Sequence, residues 1–530
     1  MKKMTVMENI IFAIRRIAAS KTAMIISGTA CAVPFVFESM FWLSWIMYIP
    51  IAVMFFDGSM NASAKAGRVF LFGYAYYFTG YLWISELYPL DFVGIGKFHS
   101  VLIIILALTA IPAIHAGMLV LSFVVCDFSA GKNKNWLKLI VFPCVFVFCE
   151  YLQSVGPLAF SWCRVSVAQT GCIAIVQSVS LVGSYFITYL VLLVNGFIAY
   201  GLLDKNMRKI LLISAASLFL INFAFGVLRI AVMEQKPQNA QKFTAIALQG
   251  NIPSSEKWEG DSRDALNLYM NLAKSAVLSA KEENMPENTL ILIPETALPF
   301  ILRENGLTAQ TISDFAKEND ICFAAGAFSD MGESSGNSVY MFTPDGKMSE
   351  PYTKRHLVPF GEYLPYRSFF ETFLPALAQM NVLSQDIYKA TEASVFDIPF
   401  AKAGAVICYE SIFPELCRET VGKGAQILLV STNDSWFGDS GALRHHLANA
   451  RLRAIENGVS VIRAANTGIS ALITPDGKAV KTLGANRRGF IKAQLPLKTT
   501  TTLYSLIGDV WLYLCVVIVM VSIYKKKKSV

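Results

Sequence analysis

The chain has 530 residues, 54% of them hydrophobic and 16% charged, which is too long for one ordinary domain and too apolar for a wholly soluble protein. Its formal charge of +8 does not point to nucleic acid, because the basic residues stand in short clusters beside apolar runs rather than along one stripe. The ten cysteines exclude a disulfide framework, and the three in the polar half, Cys322, Cys408 and Cys417, form no CxxC pair and no Cys/His cluster, which argues against a metal centre.

Lys2, Lys3, Arg15, Arg16 and Lys21 precede the first apolar run, and because further apolar runs follow, an anchored start is expected rather than a cleaved signal peptide. Membrane spans are expected at 23–38, 41–57, 69–87, 99–126, 136–155, 171–203 and 209–232. The loops orient them. Lys65 and Arg68, then Lys132, Lys134 and Lys138, then Lys205, Arg208 and Lys209 all fall inside if the amino terminus is inside, whereas the loops at 86–97 and 156–164 are poor in Lys and Arg. A last span at 503–524 then returns to the cytoplasm, with Lys525, Lys526, Lys527 and Lys528 beyond it. His115 lies within the fourth span, where it reads equally as a functional ionisable group or as a hydrogen-bonded packing residue beside Pro112, and it is not counted in the site.

The expected division is a membrane domain at 1–234, an α/β extracytoplasmic domain at 235–500, and a final helix with a basic tail at 501–530. In the middle part, FTAIALQG, TLILIPE, ICFAAGAF, SVYMFTP, AGAVICYE, AQILLVST, VSVIRAAN and ISALITP read as strands, with helices at 261–283, 307–319 and 443–457. Short apolar strands alternating with amphipathic helices argue for sheets covered by helices. TPDGK occurs at 343–347 and again at 474–478, each a hairpin turn after a β-rich run, and suggests two sheets built on similar lines.

Three residues are candidates for the chemistry, although taken singly Glu295 also reads as a structural cap, Lys354 as part of a solvated or headgroup-facing patch and Cys408 as an inert core residue. Glu295 ends the apolar run LILIP, Lys354 stands in YTKRHLVPFGEYLP with Glu362 close behind, and Cys408 ends the strand AVI. A lysine ammonium near the thiol is expected to favour its thiolate and to stabilise an oxyanion, while a carboxylate moves the proton. Together they form an acyl-transfer set that needs neither His nor metal.

IPE around Glu295, TKRHLVPFGEY around Lys354 and VICYE around Cys408 resemble the Glu-Lys-Cys signatures of the nitrilase superfamily. GNIPSSEKW, PETALP, KRHLVPFGEYLP, ICYES, STNDSWFG and RAIENGVSVIRAANTGISALITPDG, with FGYAYYFTGYLWI in the third span, narrow the likeness to its membrane-embedded branch, the apolipoprotein N-acyltransferase family. The resemblance implies an αββα sandwich and three roles: Glu295 as general base, Lys354 as stabiliser of the tetrahedral intermediate and Cys408 as nucleophile. It implies transfer of a fatty acyl group from a membrane phospholipid, through a Cys408 thioester in a ping-pong scheme, to the α-amine of the diacylglyceryl-cysteine of an apolipoprotein. It further implies Trp258, Glu362, Tyr409, Glu410 and Trp436 as site residues, no cofactor, and a bacterial cytoplasmic (inner) membrane location with the catalytic domain on the periplasmic side. Gln153 and Leu158 depart from the family pattern in the fifth span and the loop after it.

Phe369, Phe370, Phe373 and Leu374 read either as a lid that dips into the bilayer and shields a thioester from water or as a buried helix face. Two other readings of the same residues are a tethered amidase that hydrolyses a small amide, and a lipoprotein-binding scaffold on an inactive fold. The seven preceding spans disfavour the first and the complete triad disfavours the second.

Overall fold

The structure, a computed structural model, describes residues 6–90, 95–131, 135–235, 241–257, 262–285, 288–373, 386–498 and 501–527. It divides into two compact units: Met1–Ser85, Leu102–Val232 and Asp509–Val530 form one, and Glu86–Val101 with Met233–Gly508 form the other.

The first unit is helical. Apolar sequence gives the helices Lys21–Val36, Ala62–Gly80, Lys97–Ala130, Ser184–Leu203, Arg208–Glu234 and Val510–Lys527. Among the described residues, four segments are long and apolar enough to cross a membrane, Glu38–Phe56, Lys97–Ala130, Ser184–Leu203 and Arg208–Glu234, or up to five if a bent pair of helices counts as one span. The run at 136–155 is not one helix. It breaks into Asn135–Val141 and Cys144–Leu152 at Pro143, which has no N–H to continue the ladder. Likewise 171–203 is interrupted at Gly183, whose φ of +82° no β-carbon would welcome. His115 Nδ1 lies 2.7 Å from Tyr81 Oη, and Gln153 Nε2 donates to Tyr77 Oη at 2.7 Å, so these polar groups find partners inside the bundle. Leu158 is exposed. Lys65 pairs with Asp127 at 3.2 Å and Lys526 donates to the Phe128 carbonyl at 2.8 Å, which brings both lysines to one end of the helix Lys97–Ala130.

The second unit is built on β1 (Lys242–Gln249), β2 (Thr289–Leu292), β3 (Leu298–Ile301), β4 (Ile321–Asp330), β5 (Ser335–Phe342), β6 (Tyr352–Thr353), β7 (Val395–Ile398), β8 (Ala401–Ile407), β9 (Ile427–Thr432), β10 (Ser460–Ala465), β11 (Ser470–Ile473), β12 (Ala479–Leu483) and β13 (Gly489–Pro496). One sheet runs β13-β1-β2-β4-β5-β6, with β3 on β4, and the other β7-β8-β9-β10-β11-β12. Each has three parallel central strands flanked by antiparallel ones, so the two repeat one pattern. The TPDGK turns stand at matching places, after β5 and after β11, with Gly346 at φ +81° and Gly477 at φ +83°.

Alternation along the strands makes the layers. Phe243, Ala245 and Ala247 of β1 share one core with Ala403, Ala405 and Ile407 of β8, between the sheets. The opposite face of the first sheet, Ile246 and Leu248 among it, packs on Ala273, Ala276, Ile312 and Phe315 of the helices Ser262–Glu282 and Leu307–Asn319. Val406, Leu428 and Val461 of the second pack on Cys417, Val421, Ala450 and Ala454 of Pro414–Gly422 and Gly441–Asn457. The result is an αββα sandwich of the nitrilase type.

Candidate active site

The carboxyl ends of β2, β8 and β9 carry the polar residues to one place, the end at which parallel strands commonly present a ligand site. β2 continues through Ile293 and Pro294 to Glu295, and Thr296 follows at φ +44°. β6 delivers Lys354 directly, and β9 delivers Asn433. After Ile407 the chain turns at Cys408, which has φ +49°, and enters the short 3-10 turn Cys408–Ile412.

Lys354 Nζ donates to Glu295 Oε1 at 3.0 Å and to Glu362 Oε1 at 2.9 Å. Asn337 Nδ2 donates to the same two oxygens, at 2.7 and 3.0 Å. The other oxygen of Glu295 accepts from the Asn433 main-chain N–H at 2.8 Å. Burial works against an ionised Glu295, but the Lys354 ammonium overrides it and holds the carboxyl below its ordinary range. Burial likewise opposes the charge on Lys354, and Glu295 and Glu362 outweigh it, so the ammonium persists.

Lys354 favours the Cys408 thiolate, as the sequence leads one to expect, but two other effects oppose it. Burial, then the Glu295 charge, push the Cys408 thiol well above its ordinary value, and the opposing pull of Lys354 is smaller. Burial and the Glu295 charge thus favour the protonated sulfur over the thiolate.

Glu410 has a definite task. Its Oε2 accepts from Ile407 N at 2.7 Å and Tyr352 Oη at 2.8 Å, and its Oε1 from Arg355 N at 2.6 Å and His356 N at 3.0 Å. One carboxylate thus joins the Cys408 turn to the Lys354 segment. Tyr409 is buried, with its ring 5.8 Å from His356 and 5.2 Å from Phe413. Trp436 is half-buried in the turn Asp434–Phe437, directly after Asn433. Trp258 and Leu374 lie outside the described residues. Phe369 and Phe373, 52% and 68% exposed, lie on the helix Arg367–Phe373 with rings 5.0 Å apart.

Several residues of the site were not singled out in the sequence. Lys257, one position before Trp258, is buried and donates to the Glu295 carbonyl at 3.1 Å and to Thr296 Oγ1 at 2.5 Å. Burial lowers its pKa to about 8 against the pull of Glu295 and Cys408. Asn337 bridges the two carboxylates, yet nothing in GNSVYM marks it. The expectation of no Cys/His cluster is also corrected: ligand-type atoms of Cys408, Asp434 and His446 lie within 4.8 Å of one another. Each ring nitrogen and carboxylate oxygen of that trio already has a protein partner, with the Arg463 guanidinium on Asp434. The Arg463 guanidinium thus already supplies a positive charge to Asp434.

Residues 27–197 match the apolipoprotein N-acyltransferase N-terminal domain, and residues 247–504 match the carbon-nitrogen hydrolase family. A protein of Sinorhizobium medicae called apolipoprotein N-acyltransferase is 30% identical over 457 residues, which cover 84% of this chain and 82% of that one. One of the same name from Geobacter metallireducens is 27% identical over 526 residues, 96% of this chain and 95% of its own. Among solved structures, a Saccharomyces cerevisiae protein of branch 10 of the nitrilase superfamily aligns with a TM-score of 0.37 at 21% identity, covering 48% of this chain and 90% of that one.

Proposed function

Since the chain belongs to the apolipoprotein N-acyltransferase family, we propose that it moves a fatty acyl group from a membrane phospholipid to the α-amine of the diacylglyceryl-cysteine of an apolipoprotein, with Cys408 carrying the group as a thioester. Glu295 takes the Cys408 proton as Sγ attacks the ester carbonyl, and the Lys354 ammonium faces the oxyanion that forms. Collapse of the tetrahedral intermediate breaks the ester C–O bond, and Glu295 returns the proton to the departing lysophospholipid oxygen. In the second half the acceptor amine attacks the thioester, Glu295 takes an amine proton, and the amide forms as Cys408 leaves and recovers its proton.

One observation carries this reading: Glu295 and Lys354 in direct contact at 3.0 Å beside the strand end that carries Cys408, a contact that favours the ionised carboxylate and the ammonium. Such a site needs a base at the moment of attack, and it has one already ionised. Both substrates are lipid-anchored, so an enzyme on the membrane avoids exposing acyl chains to water, at about 0.8 kcal/mol per methylene.

The topology proposed for this work is seven spans before the α/β domain and one after it, with domains at 1–234, 235–500 and 501–530. It puts the amino terminus in the cytoplasm and the catalytic domain on the periplasmic face of the inner membrane. Lys65 and Lys526 at one end of Lys97–Ala130 support a common side for these basic clusters. The grouping of Glu86–Val101 with the α/β unit supports the opposite side for that loop.

Purified protein incubated with acyl-labelled phospholipid should take up a hydroxylamine-sensitive label that Cys408→Ala abolishes. An equal label on Cys408→Ala would overturn the mechanism. Release of the acyl group to water rather than to a lipopeptide amine would instead favour a tethered hydrolase, and turnover of a small amide would identify it as an amidase.

A further inference from the structure

Behind Cys408 lies a buried polar cluster that the transfer steps leave unused. His446 comes from the helix Gly441–Asn457, Asp434 from the turn after β9, Arg463 from β10, and Ser411 from the turn that Cys408 opens. The side chains of His446, Asp434 and Arg463 are 0% exposed. His446 Nδ1 lies 2.9 Å from Asp434 Oδ1 and 3.2 Å from Arg463 Nη2, and Arg463 Nη2 donates to Asp434 Oδ2 at 2.5 Å. On the other side of the ring, Nε2 lies 3.1 Å from the Cys408 carbonyl oxygen and 2.9 Å from Ser411 Oγ, which itself donates to that carbonyl at 2.8 Å.

A carbonyl oxygen and a carboxylate oxygen both only accept, so the ring lies between two acceptors, the Cys408 carbonyl on the Nε2 side and Asp434 Oδ1 on the Nδ1 side, and it holds the carbonyl when Nε2 carries the proton. Both ring nitrogens are therefore engaged, and the imidazole is not free to take the thiol proton even though it lies close to the sulfur. Its task is geometric. Cys408 sits at φ +49°, a conformation that costs a residue with a β-carbon on the order of 1–2 kcal/mol and persists where the surroundings over-determine it. Hydrogen bonds from Ser411 and His446 fix the carbonyl on one side of the Cys408 α-carbon, and Glu410 fixes the Ile407 N–H on the other.

We propose that His446 is a positioning residue for Cys408: its Nε2–H, braced by Asp434 and Arg463, clamps the Cys408 carbonyl and so aims Sγ. The inference rests on the reading of Cys408 as the acyl-carrying nucleophile. Full-length wild type, His446→Leu, His446→Gln, Ser411→Ala and Cys408→Ala in detergent would be given micellar phosphatidylethanolamine with labelled acyl chains. Acyl-enzyme formation would be timed across donor concentration and across pH, beside a thermal melt of each protein.

Leu removes the donor, whereas a Gln amide can place an N–H near the Nε2 position. His446→Leu should slow acylation about 100-fold, the loss that a misaimed group of about 1 Å produces, with the half-saturating donor concentration changed less than about threefold. His446→Gln should recover about tenfold of that loss, and every folded variant should keep the wild-type shape of the pH profile, since His446 is not the base. Acylation of His446→Leu at the wild-type rate would overturn the inference, as would a loss that removes a limb of the pH profile. If His446→Leu does not fold, His446→Gln and Ser411→Ala decide: rates intermediate between wild type and Cys408→Ala support the clamp, and wild-type rates in both refute it. Label on Cys408→Ala would mark failure of the nucleophile reading itself.

Discussion

Lys354 and Glu295 meet at 3.0 Å with side chains 1% and 8% exposed, and Glu362 shares the same ammonium from 2.9 Å. One cation thus answers two carboxylates in a site closed to water, and removing one member of a buried ionic group costs about 3–5 kcal/mol. Lys354→Met should lower the melting temperature and abolish acyl-enzyme formation together. Lys354→Arg keeps the charge but not the single-point geometry, so it should recover stability better than activity. Parallel melts and phospholipid-labelling assays test this, and a Lys354→Met protein as stable as wild type would refute it.

The Cys408 thiol, pushed up by burial and by Glu295, should react slowly with iodoacetamide at neutral pH. Its alkylation, followed by mass spectrometry of the Cys408 peptide, should keep rising through pH 9 without levelling, because only the thiolate reacts. Glu295→Gln removes a repelling charge and should speed alkylation at pH 8 while slowing acylation by phospholipid. A plateau below pH 7 in the wild-type protein would show that Lys354 dominates after all.

Glu410 accepts four hydrogen bonds, three of them from main-chain N–H groups. Glu410→Gln turns one oxygen into a donor that faces donors, and an unmet buried polar group costs about 1–3 kcal/mol, more where the group was charged. The variant should therefore melt several degrees lower and, with the Cys408 turn released from the Arg355 segment, acylate more slowly. A melt within about one degree of wild type would show that the bracket contributes little.

What the sequence made legible, and what it hid, has a physical basis. Glu295 and Cys408 each close an apolar run, a position more often structural than reactive, and it was the motif strings around them that marked them as candidates. Lys354 was readable in the basic trio before the apolar turn VPFGE, and Glu362 as the carboxylate that ends it. His446 and Asn337 were not, because they meet Cys408 and Glu295 across 38 and 42 residues, with no local pattern to mark them. The pull of Lys354 on the thiol was legible, but the larger opposing effect of burial was not, because burial belongs to the fold. The breaks at Pro143 and Gly183 were visible as residues, but apolar content alone extended the spans across them.

Phe369 and Phe373 stand exposed on one short helix in the segment that follows Glu362, and exposed aromatic rings of this kind suit the bilayer interface. If this segment covers the thioester, Phe369→Ser with Phe373→Ser should impair turnover of phospholipid more than turnover of a short, soluble acyl donor. Equal losses with both donors would mean that these rings serve packing rather than lipid contact.

Lys257 offers a test through pH. Burial lowers its pKa to about 8 from an ordinary value of 10.5, so the folded state disfavours its charge. Below pH 8 the amine is charged in both folded and unfolded chains, and the folded protein bears the whole penalty. Above pH 10.5 it is neutral in both and the penalty is gone; between these limits the unfolded chain holds more protons, so stability attributable to Lys257 rises with pH. Lys257→Met removes the titration, together with the hydrogen bonds to the Glu295 carbonyl and Thr296. The difference in melting temperature between variant and wild type should therefore shift in favour of wild type as pH rises from 8 towards 10.5, while activity falls at every pH because the Glu295 turn loses its tether. A difference independent of pH would show that Lys257 is solvated in the folded protein, and wild-type activity in Lys257→Met would show that the Glu295 turn holds its shape without it.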